Sequence, residues 1–191
     1  DVLCTDKTGT LTLDRIILER HCDLRLRDDP EVLEMAWLNS RFQTGLSSVM
    51  DRAILGHERF RGRLAADDLK LDEIPFDFSR RLMSVVLRRP DGGRRLVCKG
   101  AVDAVRDRCR SFELDGVVHP IGAAASEELW RECDRLAAEG FRVLALAYRD
   151  VGPQERYTRE DERELVLRGY LAFLDPPKDS ARAALAALAS D

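Results

Sequence analysis

No apolar run in these 191 residues approaches the length needed to cross a bilayer, and nothing at the start has the charged-then-apolar pattern of a signal peptide. Cysteine is sparse. The five (Cys4, Cys22, Cys98, Cys109 and Cys133) are scattered, odd in number and without Cys-x-x-Cys spacing, which argues against a disulfide framework or zinc site and for a reducing, cytosolic setting. The three histidines, His21, His57 and His119, are equally isolated; His21 adjoins Cys22, but neighbours on a strand point to opposite faces and share no metal. Net charge is small as well. With 31 basic against 35 acidic residues the chain carries −4, which is not the basic excess of a nucleic-acid binder, so no nucleic-acid partner is expected. Internal repeats and low-complexity segments are missing too, apart from the alanines near the end.

What remains is 45% apolar and 35% charged, the balance of a globular protein with many surface ion pairs, long enough for one large domain or one and a half. The densest information lies at Asp6-Lys7-Thr8-Gly9-Thr10-Leu11-Thr12. A carboxylate directly after the apolar Val2-Leu3-Cys4 is how a phosphate-accepting aspartate looks at the end of a buried strand. Gly9 lets the following loop turn tightly so that backbone N–H groups can face phosphate oxygens, and Lys7, Thr8 and Thr10 add charge and hydrogen-bond donors. An ordinary capped turn explains a lone Asp-Lys-Thr; seven matching positions in a row call for the phosphate reading. A strand this close to the first residue, and the stop within the alanines, lead us to expect a piece of a larger protein.

Further along, Ile16 to Leu24 reads as a strand. Asp29 and Pro30 form a helix start, and the apolar residues from Val32 to Leu38 and from Leu46 to Ile54, interrupted at Gly45, predict two adjacent helices. Leu71 to Phe76 is a short extended segment ended by Pro75 and the Asp77-Phe78 step. Met83–Arg88 and Arg94–Lys99 flank the turn Pro90-Asp91-Gly92-Gly93, and Phe112–Leu114 and Val117–His119 flank Asp115-Gly116, giving two hairpins. A helix is predicted from Ala101 to Cys109 and another from Ser126 to Glu139, where Leu129, Trp130, Cys133, Leu136 and Ala137 form one stripe that Gly140 terminates. Arg142–Tyr148 and Val166–Leu174 read as strands, and the charge-rich stretch from Gly152 to Glu164 as a solvated loop or exposed helix without assigned function. The order predicts an α+β fold: an antiparallel sheet with flanking helices, inserted after the first strand of an incomplete α/β domain. Residues 1–13 would begin that α/β domain, 14–168 form the insert, and 169–191 return to it, with Asp175-Pro176-Pro177 stiffening the connection.

The string Asp6 to Thr12 resembles the phosphorylation motif of the P-type ATPases, ion pumps that pass through an aspartyl-phosphate. Four further segments resemble that family in the family's order: Phe78-Ser79-Arg80-Arg81-Leu82-Met83-Ser84-Val85, Lys99-Gly100-Ala101, Arg142 in Arg-Val-Leu-Ala-Leu-Ala, and the hinge-like Asp175-Pro-Pro-Lys. The resemblance implies a nucleotide-binding domain inserted in a haloacid-dehalogenase-like phosphorylation domain, with ATP as ligand and Mg²⁺ held by Asp6 and the carbonyl of Thr8. It implies a catalytic role for Asp6, Lys7 and Thr8; adenine stacked on Phe78; Lys99 and Gly100 at the base of the pocket; and Arg142 with Arg80 or Arg81 on the phosphates. Met83 falls at the adenine edge or in the core, and Asp51 is either the acid facing the adenine amino group or an exposed helical aspartate. Trp37 to Gly45, Pro75 to Phe78 and Gly169 to Lys178 are most similar to the bacterial magnesium-transporting branch, with calcium- or proton-type pumps as rivals.

The family's partners follow from the same resemblance: the remaining phosphorylation, actuator and transmembrane parts of one pump, a cytoplasmic position on an integral protein of the bacterial inner membrane, and little hydrolysis from this piece alone. A free-standing haloacid-dehalogenase-type phosphatase is the competing enzyme, but such enzymes place a second acid two residues after the nucleophile, where this chain has Thr8. A nucleotide-binding module without chemistry is the non-enzymatic alternative.

Overall fold

The computed structural model describes residues 15–45, 47–62, 69–176 and 178. Asp6, Lys7 and Thr8, expected to be catalytic and to hold Mg²⁺, lie outside the described residues, as does the alanine-rich end. The elements are β1 (Ile17–Cys22), α1 (Pro30–Phe42), α2 (Val49–Leu55), β2 (Lys70–Asp77), β3 (Leu82–Arg88), β4 (Arg94–Ala101), α3 (Val102–Arg106), β5 (Cys109–Leu114), β6 (Val117–Pro120), α4 (Ala123–Ala138), β7 (Arg142–Val151) and β8 (Leu165–Leu174), with short 3₁₀ turns at Glu58–Phe60 and Arg159–Asp161. The class is the expected α+β, and the sheet is antiparallel except for one pair.

Strand order is β2-β3-β4-β7-β8-β5-β6, with β1 also on β8. β8 is the spine. One edge pairs with β7 from Tyr148↔Val166 to Arg142↔Phe173. The other edge is shared: β5 runs parallel beside Leu165 and Leu167, and β1 antiparallel from Tyr170 to Leu174. The close meeting of these chains fixes Gly169, where a Cβ would fall 2.2 Å from the carbonyl oxygen of Cys22 and 2.7 Å from a Val32 methyl. The boundary expected after residue 168 therefore falls inside β8, whose residues 169–174 remain hydrogen-bonded in this sheet.

Helices cover both faces, so the central strands read as nearly continuous apolar runs. On β3, Leu82 and Val86 face a layer closed by α3 and α4 through Ala104, Val105, Leu129, Cys133 and Leu136. Met83, Val85 and Leu87 alternate to the opposite layer, closed by Val32, Leu33, Ala36 and Trp37 of α1 and Ile54 of α2. Cys22, Cys98, Cys109 and Cys133 are free, buried thiols that all belong to the α3–α4 layer. Burial pushes the thiols of Cys22 and Cys98 up to about 12 and that of Cys133 to about 11.

Local signals worked where chemistry is local. Asp29 caps α1, its carboxylate accepting from the amides of Glu31 and Val32 with Pro30 in the first turn. Three readings are corrected. β2 continues through Pro75, which an edge strand tolerates because it needs no N–H there. The helix predicted to reach Cys109 stops at Arg106, since Cys109 is drawn into β5 alongside Leu165. The charge-rich loop after β7 is not wholly solvated: Tyr157 and Glu162 are buried, the Tyr157 amide donating to Asp72 at 2.8 Å. Among the described residues no helix is long and apolar enough to cross a membrane, and no group of three or more His, Cys, Asp or Glu is placed to hold a metal ion.

Candidate functional site

Between the α1–α2 connection and the ends of β2, β3 and β4 lies a cavity of about 490 Å³, lined chiefly by apolar groups with a few converging polar side chains. Its floor is an ion pair. Lys99 lies two residues beyond Val97 on β4, shares its face and so projects toward α2, where its Nζ lies 2.5 Å from Asp51 Oδ1 and 2.5 Å from Ser40 Oγ. Both charged residues are only 5% exposed. Asp51 is placed by the start of α2: it closes a capping box with Ser48, accepting from the Ser48 amide at 3.0 Å and hydroxyl at 2.7 Å while Ser48 Oγ accepts from the Asp51 amide.

Burial alone would raise the Asp51 carboxyl, but the Lys99 charge and the hydrogen bonds from Lys99 and Ser48 outweigh it and hold the group well below the usual carboxylate range. Burial in turn lowers the Lys99 ammonium, with Asp51 offsetting part of that cost. A buried pair contributes little net stability, so its position beneath a cavity marks it as a functional candidate. Two of the three Lys99 donors are used by Asp51 and Ser40 among the described residues, which leaves one to face the cavity.

Beside Lys99, the backbone of β4 runs so close to β3 that only glycine fits. A Cβ on Gly100 would sit 2.3 Å from the Arg81 carbonyl oxygen and 2.6 Å from Leu82 Cδ2. That carbonyl accepts from the Ala101 amide at 3.1 Å, pinning the end of the turn between β2 and β3. Asp77 starts the same turn, its carboxylate accepting from the Ser79 amide at 2.7 Å, and Arg81 closes it in the left-handed region at φ 54°. Phe78 is thereby lifted to the mouth of the cavity, 82% exposed, with its ring edge-on to Phe76 at 5.2 Å. So large an exposed aromatic, steadied by a second ring, is a ready stacking platform. Arg81 shares the rim and pairs with Asp103, while Met83 is buried in the wall.

The model of the family described as P-type ATPase, cytoplasmic domain N, matches residues 33–180. The chain belongs to the P-type ATPase family. Its similarity is high to the "Magnesium-transporting ATPase, P-type 1" of Escherichia coli (strain K12), 45% identical over 191 residues that cover 98% of this chain and 21% of that protein. The protein of the same name from Salmonella typhimurium (strain LT2) is 45% identical over 194 residues, again 98% and 21% of the two chains. "Calcium-transporting ATPase 1" of Lactococcus lactis is 29% identical over 199 residues, 94% of this chain and 23% of that protein. The chain thus spans about a fifth of the length of the curated relatives it matches.

Within this P-type ATPase domain the cavity gathers Asp51, Phe78, Arg81, Met83, Lys99 and Gly100 of the expected nucleotide residues. It does not gather two others. Arg80 turns behind the cavity to pair with Glu162, whose second oxygen accepts from Ser84 Oγ at 2.8 Å, and donates to the Pro75 carbonyl at 2.6 Å. Of the adjacent arginines it is therefore Arg81 that faces the site, because the turn sends consecutive side chains in opposite directions. Arg142 stands at the first position of β7, outside the cavity lining and 3.6 Å from Asp175 Oδ2. Sequence reasoning gave no role to Gln43, Ser40, Ser48, Phe76 and Glu162. The Ser48-x-x-Asp51 spacing before an apolar run was a readable signal for the first turn of α2; nothing in the charge-rich loop marks Glu162 as its inward-facing member.

Proposed function

We propose that this chain is the ATP-binding portion of a cation-transporting P-type ATPase, with magnesium as the transported ion, and that its cavity receives the adenosine end of ATP. The observation that carries this is the pairing of a buried ammonium on the cavity floor with an exposed phenylalanine at its mouth. Adenine would stack on Phe78 with Met83 at its edge, Lys99 would direct its remaining N–H to the ligand, and Gly100 would let the backbone approach closely. Arg81, on the rim, would supply planar donors to phosphate oxygens.

The γ-phosphate would then meet Asp6 in the phosphorylation domain into which this domain is inserted. A carboxylate oxygen of Asp6 forms the new bond to phosphorus while the bond to the β–γ bridging oxygen breaks, and ADP leaves with that oxygen. Lys7 and Arg142 would offset charge on the transferring group. Asp6 and the Thr8 carbonyl are hard oxygen donors of the kind Mg²⁺ accepts, and the ion would neutralise phosphate charge there. The transmembrane parts of such a pump would set it in the bacterial inner membrane with this domain on the cytoplasmic side.

Binding of a non-hydrolysable ATP analogue to the 191-residue chain tests the first half: it should saturate, and weaken at least about tenfold with Phe78→Ala or Lys99→Ala, in line with the worth of base stacking and charged hydrogen bonds. Acid-stable phosphate incorporation by the full-length pump, lost in Asp6→Asn, tests the second. Undiminished affinity in both binding variants would reject the assignment of the cavity.

A further inference from the structure

The Arg81–Asp103 pair stands on a divide. Ala101 and Leu144 line both the cavity described above and a second hollow of about 400 Å³, which runs on between α3, α4 and the start of β7. Arg81 borders the first but not the second, and Asp103 the second but not the first. The Arg81 guanidinium nevertheless donates from Nη2 to Asp103 Oδ2, so the pair reaches across the lip that Ala101 and Leu144 form.

Backbone anchors both ends of this strap. Arg81 closes the turn after β2 in the left-handed region, and its carbonyl accepts from the Ala101 amide at 3.1 Å. Asp103 follows in the first turn of α3. Between them runs Gly100–Ala101, the backbone that the proposed function sets against the nucleotide. The side chains themselves are about half exposed, at 53% and 49%. An ion pair so open to water contributes little and exchanges readily. A triphosphate carries several negative charges against the single charge of a carboxylate, and it accepts two parallel N–H bonds from one guanidinium. The Arg81 hydrogen bond holds the Asp103 carboxyl below the usual carboxylate range, so this acid is ionised at neutral pH and competes for the same cation.

We infer that Asp103 is a positioning residue for Arg81: it keeps the guanidinium strapped across the lip of the empty cavity and yields it to the phosphates of ATP. The inference rests on the cavity being the nucleotide site. Each binding event must first break the pair, so the phosphate end is held less tightly than a free arginine would hold it. Adenosine, which brings no phosphate, leaves the strap in place.

A double-mutant cycle on the 191-residue chain tests the exchange. Dissociation constants for ATP and for adenosine are taken from NMR shift titrations. Asp103→Asn, which keeps the shape and removes the charge, should bind ATP roughly two- to fivefold more tightly than the wild type, matching the strength of an exposed ion pair, with adenosine unchanged. Arg81→Gln should weaken ATP and spare adenosine. In the Arg81→Gln background Asp103→Asn should then gain little, since no guanidinium is left to release. All three variants change exposed side chains and should melt near the wild type. No gain in ATP affinity, a gain shared by adenosine, or the same gain with and without Arg81 overturns the inference; the last would reduce Asp103 to plain repulsion of phosphate. Each of those results leaves the nucleotide site intact. A wild type that binds neither ATP nor adenosine overturns the reading of the cavity, and the inference with it.

Discussion

Two buried ion pairs lie on opposite faces of the turn that carries Phe78, and they serve different ends. Lys99–Asp51 lies beneath the apolar cavity and keeps a donor in reserve; in Arg80–Glu162 the Glu162 side chain is wholly inaccessible and its oxygens are used by Arg80 and Ser84. In the proposed function the first pair would be an electrostatic floor for the nucleotide. The second ties the loop after β7 to the turn after β2 and so holds the platform residue from behind. Burial alone does not separate a binding charge from a structural one. What separates them is the lining each faces: the cavity beside Lys99 is chiefly apolar and carries the exposed Phe78 ring at its mouth, whereas the cavity beside Arg80 is bordered by Asp77, Arg156 and Arg159.

The comparison breaks most sharply at Glu162. Removing one partner of a buried pair strands the other charge, so Glu162→Ala should cost about 3–5 kcal/mol of stability in urea unfolding. The double variant Arg80→Leu/Glu162→Leu should recover most of that loss, since apolar groups often replace a buried pair without penalty. Next comes Gly100→Ala, which drives a methyl into the Arg81 carbonyl and should cost about 1–3 kcal/mol as well as weaken nucleotide binding. Lys99→Met should disturb folding less, because Asp51 keeps its serine partners, but the Asp51 carboxyl should climb toward its ordinary value, visible in a carboxyl-carbon NMR titration. Smallest in stability is Phe78→Ala, within about 0.5 kcal/mol of the wild type as for an exposed position, although nucleotide affinity falls.

Acid sharpens the same contrast. The folded Asp51 carboxyl lies below its unfolded value, so the stabilisation it brings is complete above the ordinary carboxylate pKa of about 4 and is lost as pH falls through the depressed folded value. Urea midpoints between pH 7 and pH 3 should therefore fall less steeply for Asp51→Asn than for the wild type.

Much of this was readable from the chain because its causes are local. Asp29-Pro30 starts α1, Asp115-Gly116 turns between β5 and β6, and the stripe through Leu129, Cys133 and Leu136 builds α4. The segments holding Phe78 and Lys99-Gly100 could likewise be picked out as candidate ligand contacts. Long-range pairing could not. No local pattern tells β8 that β5 and β1 will share one of its edges, and that placement moves residues 169–174 into the sheet. Charge hid two further facts. Glu162 looks like its solvated neighbours, and Arg80 looks as able to meet a phosphate as Arg81. Only the left-handed backbone at Arg81 sends one arginine to the rim and the other into the interior. Asp51 could be picked out as a candidate acid of the site, but not that serines and a lysine would consume its oxygens.

The four free, buried thiols among the described residues occupy one layer, behind the sheet from the cavity. In a Cys4→Ser background an alkylating reagent added in short pulses therefore times the breathing of the α3–α4 side, because none of the described cysteines lies on the α1–α2 side. If ATP clamps only its own side, the labelling clock should tick at the same rate with and without ligand; if the sheet transmits the clamp, it should slow.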